Sequence, residues 1–285
     1  MGHDYSKDTS LEGKIALITG GGAGIGRGIA LALANHGAAV VIAEIDPSRA
    51  EQTKAMIEAN GGSCAIALTD VMDTDQIRQA VAKAKDSFGG LDILINNAGG
   101  VSGRDFLDQS ERSWRRHIDI NLVSMIAATH AGAQLMVEGG RGGSIVNITS
   151  IEGSRAAPKY AVYAACKAGM INFTRTMALE LSEHGIRVNC LAPDMTLTPG
   201  LRGQMSGPVD EASLRNTPNI SAQSVESYIP LGREGDIQDL GNAAVFLCSD
   251  MASYITGVTI PVDGGTWASS GWTRTDDKKG WRLQH

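Results

Sequence analysis

The sequence is poor in the features that mark several protein classes. Its 285 residues hold four cysteines, Cys64, Cys166, Cys190 and Cys248. They are far apart and form no CxxC pair, which argues against a disulfide framework and a zinc ribbon. The six histidines are equally scattered, with no HExxH, so spacing predicts no metal site. Cationic excess is missing too: 25 lysines and arginines stand against 31 aspartates and glutamates, a net charge of −6. A nucleic-acid partner, bound through its phosphates, is therefore not expected. No apolar run reaches the roughly 18–20 residues that cross a bilayer. The opening MGHDYSKDTS lacks the apolar stretch of a signal peptide. The expectation is a soluble cytoplasmic protein with no membrane partner.

Glycine is plentiful instead, at 35 residues, and the chain alternates short apolar runs with helical periods. Residues 14–20, 38–44, 63–70, 91–99, 143–150, 186–194 and 258–265 read as strands. Helical stretches follow Gly24 and Pro47 and cover roughly 73–88, 107–138, 160–184 and 236–249. Asp46-Pro47 reads as an N-cap and first helical residue, and Gly37 as a helix stop. The runs are apolar throughout rather than strictly alternating, which predicts a parallel sheet covered on both faces. The pattern predicts one α/β domain over 11–267, a Rossmann-like doubly wound fold around a seven-stranded parallel sheet. Tails lie at 1–10 and 268–285, and a Pro-, Gly- and Ser-rich segment at 195–230 reads as a functional or disordered loop. The C-terminal tail carries Trp272 and Trp281, just after Trp267, and reads either as docking on a partner or as packing on its own surface.

The first strand–helix junction reads Thr19-Gly20-Gly21-Gly22-Ala23-Gly24-Ile25-Gly26, a GxxxGxG cluster at Gly20, Gly24 and Gly26. Such glycines let backbone N–H groups approach a pyrophosphate at a helix N-terminus. The second strand ends at Glu44, followed by Ile45. A carboxylate there accepts ribose hydroxyls and repels a 2′-phosphate, which points to NAD; otherwise Glu44 is a solvated strand end. Arg27, the nearest cation, lies within the helix start and reads as solvent-facing. Tyr163 and Lys167 stand at i and i+4, on one helix face, where a lysine cation lowers the pKa of a phenol. Ser150, at the end of the fifth strand, is placed to bond the same substrate oxygen.

On TGGGAGIG (19–26), Asp70, NNAG (96–99), Asn121 in INLVS, Ser150, Tyr163-x-x-x-Lys167, and Pro193 with Thr198, the chain resembles the short-chain dehydrogenase/reductase family from about residue 11 to 267. The resemblance implies Tyr163 as general acid/base and Lys167 as the residue that lowers its pKa and bonds the nicotinamide ribose. It further implies that Ser150 orients the carbonyl and Asn121 holds a proton-relay water. Asp70 and Val71 would reach the adenine, Asn97, Ala98 and Gly99 the ribose, and Pro193 and Thr198 the carboxamide. A homotetramer is implied as well. Read alone, Asn121 is equally a helix cap or kink, and Thr198 a loop hydroxyl.

The chain departs from the family at Asp194, where glycine is usual, and at Thr196. Glu152 either accepts from a substrate hydroxyl or pairs with Arg155 or Lys159, and Arg202 and Arg215 are either anion-binding or solvated. Three functions follow from the sequence. The leading one is an NAD-dependent oxidoreductase interconverting a secondary alcohol, such as a hydroxylated ring or sugar-like compound, with a ketone. The others are a 3-oxoacyl thioester reductase and a non-catalytic cofactor-binding scaffold.

Overall fold

Side chains of opposite parity along β1 enter opposite faces of the sheet, and both faces are apolar. Ile18 joins Ile29, Leu33, Ile42 and Leu240 on one side, while Leu17 joins Val41, Ile77, Leu94 and Val188 on the other. A strand buried on both faces needs helices above and below, which is why the chain alternates. The computed structural model describes residues 8–216, 221–275, 277 and 279–283.

All seven expected strands form: β1 (Ile15–Thr19), β2 (Ala39–Glu44), β3 (Cys64–Leu68), β4 (Ile93–Asn96), β5 (Gly143–Ile148), β6 (Ile186–Pro193) and β7 (Thr259–Val262). They make one parallel sheet in the order β3-β2-β1-β4-β5-β6-β7. The order reverses at β1 and β4, which opens a crevice at their carboxyl ends. Helices α1 (Gly24–Asn35), α2 (Pro47–Ala59) and α3 (Thr74–Phe88) fall where periodicity places them. Asp46 caps α2 by accepting from the N–H groups of Ser48 at 3.0 Å and Arg49 at 3.3 Å.

The single helix expected over 107–138 is instead broken. A short 3₁₀ turn (Phe106–Asp108) precedes α4 (Glu111–Ile118), a π-turn spans Asp119–Val123, and α5 runs over Ser124–Gly139. Asn121 accounts for the π-turn. Its Nδ2 donates to His117 O at 3.0 Å, the carbonyl one turn back that a regular ladder would assign to the backbone. Then follow α6 (Ala161–Glu180) and a 195–230 segment that is partly structured. It holds a 3₁₀ turn (Gly200–Arg202), α7 (Glu211–Asn216) and α8 (Ala222–Tyr228), with 217–220 outside the described residues.

Beyond α9 (Ile237–Cys248), α10 (Thr266–Ser269) leads into an antiparallel hairpin of β8 (Trp272–Arg274) and β9 (Trp281–Leu283). Arg274 donates to Pro230 O at 2.8 Å and lies 4.6 Å from the Trp281 ring centroid, so the tail rests on its own chain. Trp267, Trp272 and Trp281 remain about half exposed.

Candidate active site

Every residue expected to act lies at the carboxyl edge of the sheet, where six successive strands end. The backbone turns sharply after β1 at Gly20, whose φ of +64° suits glycine. A Cβ on Gly26 would stand 2.1 Å from Gly20 O, so the turn closes only without one. Helix α1 begins with no side-chain cap and no acidic residue in its first turn. Its leading N–H groups are therefore open to an anion at a positive helix end.

Two adjoining cavities of about 520 and 540 Å³ share Ile25, Asn97, Gly99, Thr198 and Gly200, and so form one cleft. Gly20, Gly24, Glu44, Asp70, Val71 and Ala98 line the first. Asn121, Ser150, Tyr163, Lys167 and Pro193 line the second. Of the predicted residues only Gly26 stays behind the wall, within the turn itself. An uncapped helix start midway along a cleft ending in Glu44 and Asp70 fits a dinucleotide.

At the first end Glu44 is buried rather than solvated, at 8% exposure. Its Oε2 accepts from Gly22 N at 3.0 Å, and Oε1 accepts from the N–H groups of Ile45 and Asp46 at 2.9 and 3.1 Å. Arg27 does not face solvent: it is 1% exposed and donates to Gly22 O, Thr53 Oγ1 and Gln52 Oε1. With those acceptors beneath the glycine turn, its guanidinium is satisfied inside the fold. Arg49 also lines this cavity, which sequence reading missed. Its donors go to Gly207 O at 2.9 Å and Gln204 O at 2.7 Å in the 195–230 segment. No sequence signal marks those carbonyls, because they arrive from a distant loop. Arg116 lines the same cavity.

At the second end, the fully buried Asn121 pairs with Gly100 in both directions, donating to its O at 2.8 Å and accepting from its N at 3.2 Å. A Cβ on Gly99 would lie 2.7 Å from Asn121 Oδ1 and 3.7 Å from Lys167 Nζ, so both side chains converge on that glycine. Lys167 Nζ donates to Ile148 O at 2.8 Å and sits 5.5 Å from the Tyr163 ring centroid. Complete burial pushes this lysine down to about 8. The expected lowering of Tyr163 is absent in the free protein. Burial raises its pKa, the Ser150 hydroxyl pulls the other way, and the charges of Glu152 and Asp194 add to the rise. Thr198 Oγ1 accepts from Leu201 N at 3.3 Å and so starts the 3₁₀ turn while lining both cavities.

A charged wall stands beside Ser150. Glu152 pairs with Arg155 at 2.8 Å, not with Lys159. Asp194 Oδ2 accepts from Thr266 Oγ1 at 2.7 Å and from the Tyr228 hydroxyl at 3.1 Å, and lies 3.9 Å from Arg155 Nη2. Burial raises the Asp194 pKa, against the pull of Thr266 and Arg155. For Arg155 burial acts downward, but the bonds to Glu152 and Tyr228 outweigh it and raise the value. Arg202 and Arg215 do not reach the cleft: Arg202 is buried against Glu234, and Arg215 pairs with Asp236 at 3.5 Å.

A sequence model for a family described as enoyl-(acyl carrier protein) reductase matches residues 20–266. A sorbitol dehydrogenase of Cereibacter sphaeroides is 39% identical over 262 residues, covering 91% of this chain and 99% of that protein. A 3-oxoacyl-[acyl-carrier-protein] reductase of Synechocystis is 36% identical, covering 90% and 98%. The chain belongs to the short-chain dehydrogenase/reductase family. A solved 7α-hydroxysteroid dehydrogenase, complexed with NADH and 7-oxo glycochenodeoxycholic acid, superposes with a TM-score of 0.82 at 33% identity, covering 92% of this chain and 98% of that one. As a member of this family the chain is an oxidoreductase of alcohol and ketone groups that binds a nicotinamide cofactor.

Proposed function

We propose that this member is an NAD-dependent dehydrogenase of secondary alcohols with Tyr163 as its general acid/base. The observation that carries the reading is the convergence of Ser150, Tyr163 and Lys167 on one cavity that continues into the cleft ended by Glu44. When bound, the nicotinamide supplies or accepts the hydride. Tyr163 takes the proton from the substrate hydroxyl, or returns it to the carbonyl oxygen, while Ser150 Oγ bonds that oxygen. Lys167 holds the nicotinamide ribose and brings its positive charge toward the phenol. Asn121 positions the Gly99–Gly100 backbone beside Lys167.

The buried Glu44 carboxylate supports NAD over NADP. Arg49, which lines the same cavity, spends Nε and one Nη2 donor on Gly207 O and Gln204 O, so part of its guanidinium is committed to the 195–230 segment rather than to a 2′-phosphate. A homotetramer is the assembly we infer from the family, and an apolar groove between Ile118, Leu122, Val162 and Ala165 supports contact between copies there. The 3-oxoacyl thioester reductase is the second reading, favoured by the Synechocystis relative.

The test is Tyr163→Phe. Turnover of secondary alcohols with NAD should fall by about 10²–10⁴-fold, the usual worth of a positioned acid/base, while NADH fluorescence titration remains unchanged. Equal turnover in the variant would overturn the mechanism.

A further inference from the structure

The wall beside the reacting centre carries carboxylates that the proton and hydride transfers do not use. Glu152 lies in the 3₁₀ turn Ile151–Gly153, and its N–H donates to Ser150 Oγ at 3.2 Å. Asp194 follows Pro193, whose carbonyl accepts from Ser150 Oγ at 3.5 Å. Both residues thus adjoin, through the backbone, the hydroxyl that meets the substrate oxygen, and both line the cavity.

Each has one oxygen committed. Glu152 Oε1 accepts from Arg155, and Asp194 Oδ2 accepts from Thr266 and Tyr228. Among the described residues, Glu152 Oε2 and Asp194 Oδ1 accept no hydrogen bond. Arg155 stands behind the wall rather than in the lining, and the cation that does line the cavity, Lys167, is bonded to Ile148 O. Two carboxylates against one guanidinium leave the Glu152–Asp194–Arg155 cluster at a net charge of −1, with the Lys167 charge on another part of the lining. Ionised carboxylates only accept, so a ligand satisfies them by donating. A hydroxyl donates, a methylene leaves the acceptor desolvated, and an anion meets charge of its own sign.

We propose that Glu152 and Asp194 determine substrate choice: the site takes a neutral polyhydroxylated compound, holds the hydroxyl next to the reacting carbon, and turns anions away. This rests on the dehydrogenase reading given above.

The experiment measures initial rates of the full chain with NAD on two matched trios. The ring trio is cyclohexanol, 1,2-cyclohexanediol and 2-hydroxycyclohexanecarboxylate; the open-chain trio is 2-butanol, 2,3-butanediol and 3-hydroxy-2-methylbutyrate. Within a trio only the neighbour of the reacting carbon changes. The diol should exceed the mono-alcohol in kcat/KM by about tenfold or more, the worth of a charged hydrogen bond. The carboxylate should fall below the mono-alcohol. In Glu152→Gln and Asp194→Asn, checked for folding by circular dichroism, the diol advantage and the carboxylate penalty should both shrink.

A wild-type enzyme that turns over mono-alcohol and diol equally, or prefers the carboxylate, overturns the selection and leaves the dehydrogenase standing. Wild type that binds NADH yet oxidises neither trio removes the dehydrogenase reading and the selection with it. The wild-type ratios decide even where a variant fails to fold.

Discussion

Arg27 Nη1 donates to Glu211 Oε1 at 3.0 Å, joining the first turn of α1 to α7 in the 195–230 segment. The same guanidinium bonds Gly22 O within the glycine turn, so that turn and the 195–230 segment share one buried cation. Around it Asp46 accepts from Gly207 N at 2.6 Å, and Gln52 Oε1 accepts from Val209 N at 3.0 Å. Arg27→Met strands several buried acceptors and should destabilise the fold by about 2–3 kcal/mol. Glu211 is half exposed, so Glu211→Gln should cost less than about 1 kcal/mol. Urea unfolding measures both. Faster proteolytic cleavage within 195–230 is expected for Glu211→Gln at nearly unchanged global stability.

Glu44→Ala removes the carboxylate that lines one end of the cleft, together with its bond to Gly22 N. Both reduced cofactors should bind more weakly, but NADPH should lose less. The ratio of the two dissociation constants should move toward NADPH by about tenfold, equivalent to roughly 1.4 kcal/mol. Calorimetric titration of both cofactors checks it; an unmoved ratio would remove Glu44 as the discriminator.

Lys167 links stability to pH. Its pKa falls from 10.5 when exposed to about 8 in the fold. Between those values the unfolded chain holds a proton that the folded chain lacks, so this residue makes stability rise with pH across the window. Lys167→Met should abolish that contribution. The stability of wild type relative to the variant should therefore grow by on the order of 3 kcal/mol from pH 7 to above 10. Denaturant titrations of both proteins at several pH values give the difference, which cancels the other titrating groups.

The ascending limb of kcat/KM for alcohol oxidation, where activity grows as the base loses its proton, reports the free-enzyme tyrosine. The Asp194 charge helps raise Tyr163, so Asp194→Asn favours the phenolate and should shift this limb to lower pH. A limb that stays in place or moves upward would contradict the assigned coupling.

Gly28→Ala tests the packing behind the cleft. A Cβ there would stand 2.4 Å from Ile237 O at the start of α9, so α1 and α9 must part. Overpacking of this kind costs about 1–3 kcal/mol, and a lower melting temperature is the expected result.

The elements that position the site were legible because local rules agree on them. Aliphatic runs such as Ile15–Ile18 can be buried on both faces only in a covered sheet, and Asp46-Pro47 caps α2 by short-range bonds. The break at Asn121 was not legible as a π-turn, because periodicity continues across it while a single side-chain bond to His117 O changes the ladder. Likewise, 195–230 lacks a periodic pattern long enough to announce α7 and α8.

The sequence by itself determined the strand–helix alternation, the glycine turn, the acid ending β2 and the Ser150–Tyr163–Lys167 set, since each depends on neighbours or on a short spacing. Tertiary structure alone decided the environment of each charge. It buried Arg27 under the glycine turn, turned Arg49 toward Gln204 and Gly207, and set Glu152 and Asp194 around Arg155. It also reversed the expected sign at Tyr163, where burial outweighs the pull of the Ser150 hydroxyl. Those outcomes depend on burial and on partners far away in the chain, which spacing along a sequence does not encode.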